Sequence, residues 1–125
     1  MDINYLSGLI VKKCLKIHKG IGPGLFESVY EEILAVELTS EGLLVEQQKV
    51  LPVYWEGLLI KNGFKADLIV EDLIIVEIKS VDLLAPVHKK QLITYLKISG
   101  YKLGLLVNFN VDLIKNGIHR IVNNL

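Results

Sequence analysis

The chain has a single cysteine, Cys14, among its 125 residues, so no intrachain disulfide can form and the disulfide-framework folds of secreted proteins are excluded. It also lacks net charge, with 14 Lys+Arg against 14 Asp+Glu. That excludes a strongly basic coat or tail that holds nucleic acid by charge alone, though not a local basic surface. No uncharged run approaches the ~20 residues that a membrane helix needs. Asp2 sits where a secretory leader is basic, and Lys12-Lys13 interrupt the first apolar run, so the expectation is a cytoplasmic protein with no membrane contact. There are no internal repeats, low-complexity tracts or linkers, and residues 1–125 have the length of one domain. With hydrophobic residues at 51%, a packed core is expected and disorder is not.

The hydrophobic period divides the chain. Residues 5–18 carry Leu6, Leu9, Ile10, Cys14 and Ile17 at helical spacing, with lysines at 12, 13, 16 and 19. Gly20-Ile21-Gly22-Pro23-Gly24 breaks that helix; it is no phosphate loop, since no strand leads in and no GK[ST] follows. A second helix is expected over 25–40, packing through Phe26, Val29, Tyr30, Ile33, Val36 and Leu38, with Glu31, Glu32 and Glu41 outside. Residues 45–55 alternate as a strand in which Pro52 marks an edge or a bulge. A short strand at 58–60, a turn at Asn62-Gly63, and strands at 64–70 and 73–79 follow. Pro86 opens a helix that Gly100 stops, residues 102–108 form a buried strand, and 111–122 add a last strand or helical turn. The strand–helix–strand step implies a parallel crossover, hence an α/β fold of the α+β kind with a central mixed sheet flanked by helices.

Charge stands where burial is expected. Asp67 interrupts one central strand, and Glu77 and Lys79 interrupt the next from one face. Such groups are costly unless paired or bound to a metal. A two-residue loop at Glu71-Asp72 would put the carboxylates on opposite faces, whereas a three-residue loop, Glu71-Asp72-Leu73, pairs Asp67 with Glu77. The convergent register is expected, because one compensated polar cluster costs less than two isolated buried charges. Asp67 and Glu77 then offer hard oxygen ligands for Mg²⁺ or Mn²⁺, and Lys79 can position water or neutralise a phosphoryl group. A structural ion pair at a strand end is the alternative on spacing alone.

Asp67 followed by Glu77-Ile78-Lys79 in sequential strands resembles the PD-(D/E)xK nuclease superfamily. Gly24-Leu25-Phe26-Glu27-Ser28-Val29-Tyr30 is similar to the motif of its GxxExxY branch, and the resemblance spans about residues 5–122. Ala66, not proline, precedes Asp67. The resemblance implies a restriction-endonuclease-like core and a nuclease acting on DNA, or secondarily RNA. It implies that Asp67, Glu77 and the carbonyl of Ile78 hold Mg²⁺ or Mn²⁺, that Lys79 is the catalytic lysine, and that Glu27 completes the acidic site or serves a second metal. Gln91 corresponds to a helical glutamine of many such enzymes, with Tyr95 one turn on. A catalytically silent scaffold and a homodimer stand beside this reading.

The remaining candidates have plainer explanations. Glu27 suits the first turn of its helix without any metal. Tyr30 reads as packing that supports Glu27, and Tyr95 as core. Cys14 and His18 are spaced as half a zinc site with no second pair, so the thiol is assigned to the core. Lys12, Lys16 and Lys19, like Lys89, Lys90, Lys97 and Lys102, read as solvated surface before they read as phosphate contacts.

Overall fold

Apolar side chains recurring every three or four positions bury one stripe of the first helix, and the computed structural model forms it as α1, Ile3–Ile21. The structure describes the backbone of all 125 residues and every side chain except those of residues 61 and 62. Asp2 starts α1 early by accepting a hydrogen bond from the Asn4 amide at 2.9 Å. The helix runs past Gly20 and stops at Gly22, whose φ of +78° suits glycine. Cys14 is fully buried, and His18 meets the Val111 carbonyl at 2.7 Å through Nε2, so both belong to the fold's framework.

The second helix, α2 (Glu27–Ser40), buries Tyr30, Glu31, Leu34, Ala35 and Leu38. This stripe is rotated from the expected one: Phe26, Val29 and Val36 are exposed and Glu31 is inside. Lys16 pairs with Glu37 of α2 at 2.7 Å and Lys13 with Glu41 at 2.8 Å, so part of the basic face of α1 meets a helix rather than solvent.

Five strands form one sheet in the order β1-β2-β3-β4-β5. They are β1 (Val45–Trp55), β2 (Leu58–Val70), β3 (Ile74–Lys79), β4 (Leu103–Asn108) and β5 (Ile118–Val122), with α3 (Pro86–Ser99) between β3 and β4. β3 and β4 are parallel and the other neighbours antiparallel. A 3-10 turn at Ile114–Asn116 precedes β5, so the C-terminal stretch supplies both a helical turn and a strand. Helices α1 and α2 cover one face over Leu68, Val70, Val76 and Ile78, and α3 covers the other over Ala66, Ile69, Ile75 and Leu106. Among the described residues, no helix is long and apolar enough to cross a membrane.

One strand, β2, replaces the two expected on either side of an Asn62-Gly63 turn. The β1–β2 register instead shifts between Leu51 and Val53, at Pro52. A Cβ on Gly63 would lie 2.3 Å from the Leu51 carbonyl oxygen, so this glycine serves a close backbone approach rather than a chain reversal.

The same ribbon changes phase closer to the sheet's centre. In β2, Leu68 and Val70 belong to the α1–α2 core, whereas Phe64 and Ala66, of the same parity, belong to the α3 core. In β1, Val45 packs on the first side, and Leu51 and Val53 on the second. Side chains on a regular strand alternate with a period of two, so each strand must twist between these sets. The twist falls at Gln48, whose φ is +49°, and at Asp67 across from it.

Candidate active site

The turn between β2 and β3 sets the register of the charged residues. Glu71 and Asp72 both have positive φ, at 54° and 52°, and the Leu73 amide donates to the Val70 carbonyl at 3.0 Å. Leu73 is the extra residue that places Val70 against Ile74, Ile69 against Ile75 and Leu68 against Val76. The next pair in that register is Asp67 with Glu77, the convergent arrangement. There the ladder gives way to side chains: the Asp67 amide donates to Glu77 Oε2 at 3.2 Å, and the Ile78 amide to Asp67 Oδ2 at 2.8 Å.

Glu77 lies on the α3 face with Ile75 and is only 7% exposed. Burial pushes its carboxyl up to about 9, and the charge of Asp67 and a side-chain hydrogen bond with it add to the shift, against the opposite pull of the Asp67 backbone amide. Lys79 also opposes the shift from two residues away. Lys79 takes part in none of the ion pairs among the described residues, so Glu77 and Lys79 are not a closed structural pair. From α3, Tyr95 stacks on Phe64 with ring centroids 3.8 Å apart. Its phenol is pushed up by burial first and then by the charges of Glu77 and Asp67, while the Gln91 side chain hydrogen-bonded to it acts the other way. Gln91 itself is exposed. Asp67, Glu77, Tyr95 and Gln91 therefore share one neighbourhood.

Glu27 reaches the strand end from the other layer. Gly24, at φ +104°, turns the chain into α2, and Glu27 takes the first helical position. Tyr30, one turn later, is fully buried against Phe109 with centroids 4.4 Å apart. Its hydroxyl donates to the Gly22 carbonyl at 2.6 Å and accepts from the Leu25 amide at 3.2 Å. Tyr30 thus clasps the loop that presents Glu27, the supporting role expected of it. Glu27 Oε2 accepts from the Ser80 amide at 3.1 Å, directly after Lys79, and the Ser80 hydroxyl donates to the Leu25 carbonyl at 2.6 Å. Among the described residues, no three His, Cys, Asp or Glu side chains are gathered as a metal-holding group. The structure brings Asp67 and Glu77 together and anchors Glu27 beside the next backbone position.

Two residues of the site were not anticipated. Glu31, expected outside, is 8% exposed and accepts from Gln47 Nε2 at 3.1 Å and from Gln48 Nε2. The Gln48 amide nitrogen also donates to Asp67 Oδ1 at 3.2 Å. One signal pointed to Glu31: it lies four residues after Glu27, on the same side of the helix. Nothing in the local pattern of Gln47-Gln48 distinguishes the second glutamine.

The family model described as the PD-(D/E)XK nuclease superfamily matches residues 4–121 of the chain. Searches of curated proteins and of solved structures returned no match.

Proposed function

We propose, because this chain belongs to the PD-(D/E)XK nuclease superfamily, that it is a Mg²⁺- or Mn²⁺-dependent nuclease hydrolysing phosphodiester bonds, with DNA the first substrate to test and RNA the second. The observation that carries the proposal is the facing pair Asp67 and Glu77 among the buried apolar residues of β2 and β3, with Lys79, on the same strand as Glu77, in none of the ion pairs among the described residues. The pair fits a hard divalent cation by its chemistry. Two carboxylates converge, and the charged form of Glu77 is disfavoured by burial and by Asp67, a penalty that an intervening cation would remove. Mg²⁺ commonly binds through one or two carboxylates and keeps several waters, so a third acidic ligand is not required.

In this reading Asp67, Glu77 and the Ile78 carbonyl hold the ion, and Glu27 contributes through water or a second ion. The bound ion supplies a lowered pKa for water and charge stabilisation at the phosphoryl oxygen. The Lys79 ammonium neutralises negative charge on the phosphoryl group and orients the attacking water. Gln91 offers its exposed amide to the substrate strand, with Tyr95 holding that amide in place. We assign the chain to the GxxExxY branch through Gly24, Glu27 and Tyr30, and place it in the cytoplasm. A homodimer would let two such sites engage two strands.

A second reading, a catalytically silent binding or assembly module, is favoured by one feature. The two carboxylates already accept backbone amides from each other's strands. Cleavage assays separate the readings. Purified protein with Mn²⁺ or Mg²⁺ should cut DNA or RNA, and Lys79→Ala should abolish cutting while leaving the unfolding midpoint unchanged. Failure to cut single-stranded, duplex and branched substrates of both kinds supports the silent module.

A further inference from the structure

Gln48 occupies a backbone conformation that a strand residue other than glycine rarely adopts, with φ at +49°. Regular pairing resumes on both sides, since Gln47 faces Leu68 and Lys49 faces Ala66 in one unbroken register. The distortion is therefore local to Gln48 and to Asp67 across from it, and is not a bulge that shifts the strand. Its effect is to change which face the neighbouring side chains take, and to bring the Gln48 amide between two carboxylates. Gln48 Nε2 donates to Glu31 Oε1 and to Asp67 Oδ1. Glu31 is held in turn by Gln47 and is buried, so the far end of this link is fixed to α2.

We infer that Gln48 and Glu31 are positioning residues for Asp67: the strained Gln48 backbone delivers an amide that fixes one oxygen of Asp67, leaving the other on the Ile78 amide. This deepens the metal-dependent reading above and rests on it for its functional consequence. Asp67 is fixed through both oxygens, Oδ1 by Gln48 and Oδ2 by Ile78. A ligand held at both oxygens loses little freedom when it meets a cation. Residues that orient a ligand from behind commonly change metal affinity by 10–100-fold when removed. Strained conformations persist where the surrounding contacts over-determine them, and here those contacts are Glu31, Gln47 and Asp67.

The inference separates stability from site geometry, because glycine at position 48 relieves the backbone while deleting the amide. Gln48→Gly should unfold at the same or a higher midpoint temperature than the parent. In the same variant, hydrogen exchange at the Ile78 amide should accelerate by about tenfold, and Mn²⁺ affinity should fall by about 10–100-fold. Glu31→Gln, which keeps the shape of α2 but weakens the grip on Gln48, should move both readouts in the same direction by a smaller factor. Unchanged Ile78 exchange and unchanged Mn²⁺ affinity in Gln48→Gly overturn the inference. So does a loss of both that tracks a lower unfolding midpoint, which would make Gln48 a stability residue only. If the parent protein binds no Mn²⁺, the metal reading falls by itself, and Ile78 exchange alone decides whether Gln48 holds Asp67.

Discussion

Asp67 and Glu77 face each other across antiparallel strands, and each carboxylate takes a backbone amide from the opposite strand, at 2.8 Å and 3.2 Å. The sheet's own ladder is thus replaced by side chains at the position where two like charges meet. Nothing in that arrangement neutralises the pair except one shared proton or a cation.

The first prediction follows from that proton. The Glu77 carboxyl has an ordinary value of 4.5 and is raised to about 9 in the folded chain. The folded state therefore holds a proton that the unfolded state releases. Its stabilising contribution is complete below pH 4.5 and is lost as the pH rises through 9. In chelator, urea unfolding should show stability falling across this interval by an amount on the order of several kcal/mol. Glu77→Gln should flatten the slope and be the more stable protein at the alkaline end. Added Mn²⁺ should also flatten it for the parent protein.

A second prediction concerns the clasp that presents Glu27. Tyr30→Phe keeps the stacking on Phe109 but loses the bonds to Gly22 and Leu25. Denaturant titration should show a loss of about 1–2 kcal/mol. Cleavage should fall by more than that loss of folded protein explains, because the Glu27 loop is no longer tied.

Legibility differed from element to element. The bounds of α3 and β1 could be read from the sequence because Pro86, Gly100 and a run rich in β-branched and aromatic residues are local signals. The register at Asp67 was reachable because the cost of two isolated buried charges is a physical constraint that one strand pair can satisfy in one way. Asn62-Gly63 misled because a dipeptide favouring turns says nothing about Leu51, whose carbonyl needs the space beside Gly63. The buried stripe of α2 was misphased because Phe26, Val29 and Val36 are as apolar as Leu34 and Ala35. Only Gln47 and Gln48, 16 and 17 residues further on, make a buried carboxylate at Glu31 acceptable. Its partners are set by tertiary structure.

The same close approach yields a third prediction. Gly63→Ala would force a Cβ to 2.3 Å from the Leu51 oxygen and 3.0 Å from Val53 Cγ2. Thermal unfolding should register a loss of roughly 1–3 kcal/mol, the range typical of overpacking. A substitution at this position that left stability untouched would show that the ribbon is not built as described.

Cys14 gives a fourth. Burial alone pushes its thiol up to about 12, and its side chain is fully enclosed. The thiolate is the reactive form, so maleimide or iodoacetamide should label native protein only at the rate of unfolding. Labelling should become fast in denaturant. Rapid labelling of the folded chain would place the α1 stripe somewhere other than the core.

The most direct test of the central claim is anomalous diffraction from crystals soaked in Mn²⁺. A peak between the Asp67 and Glu77 carboxylates, with Asp67 still held by Gln48 and the Ile78 amide, is the predicted result. No peak there, with both carboxylates still bound to the amides of the facing strands, would contradict it.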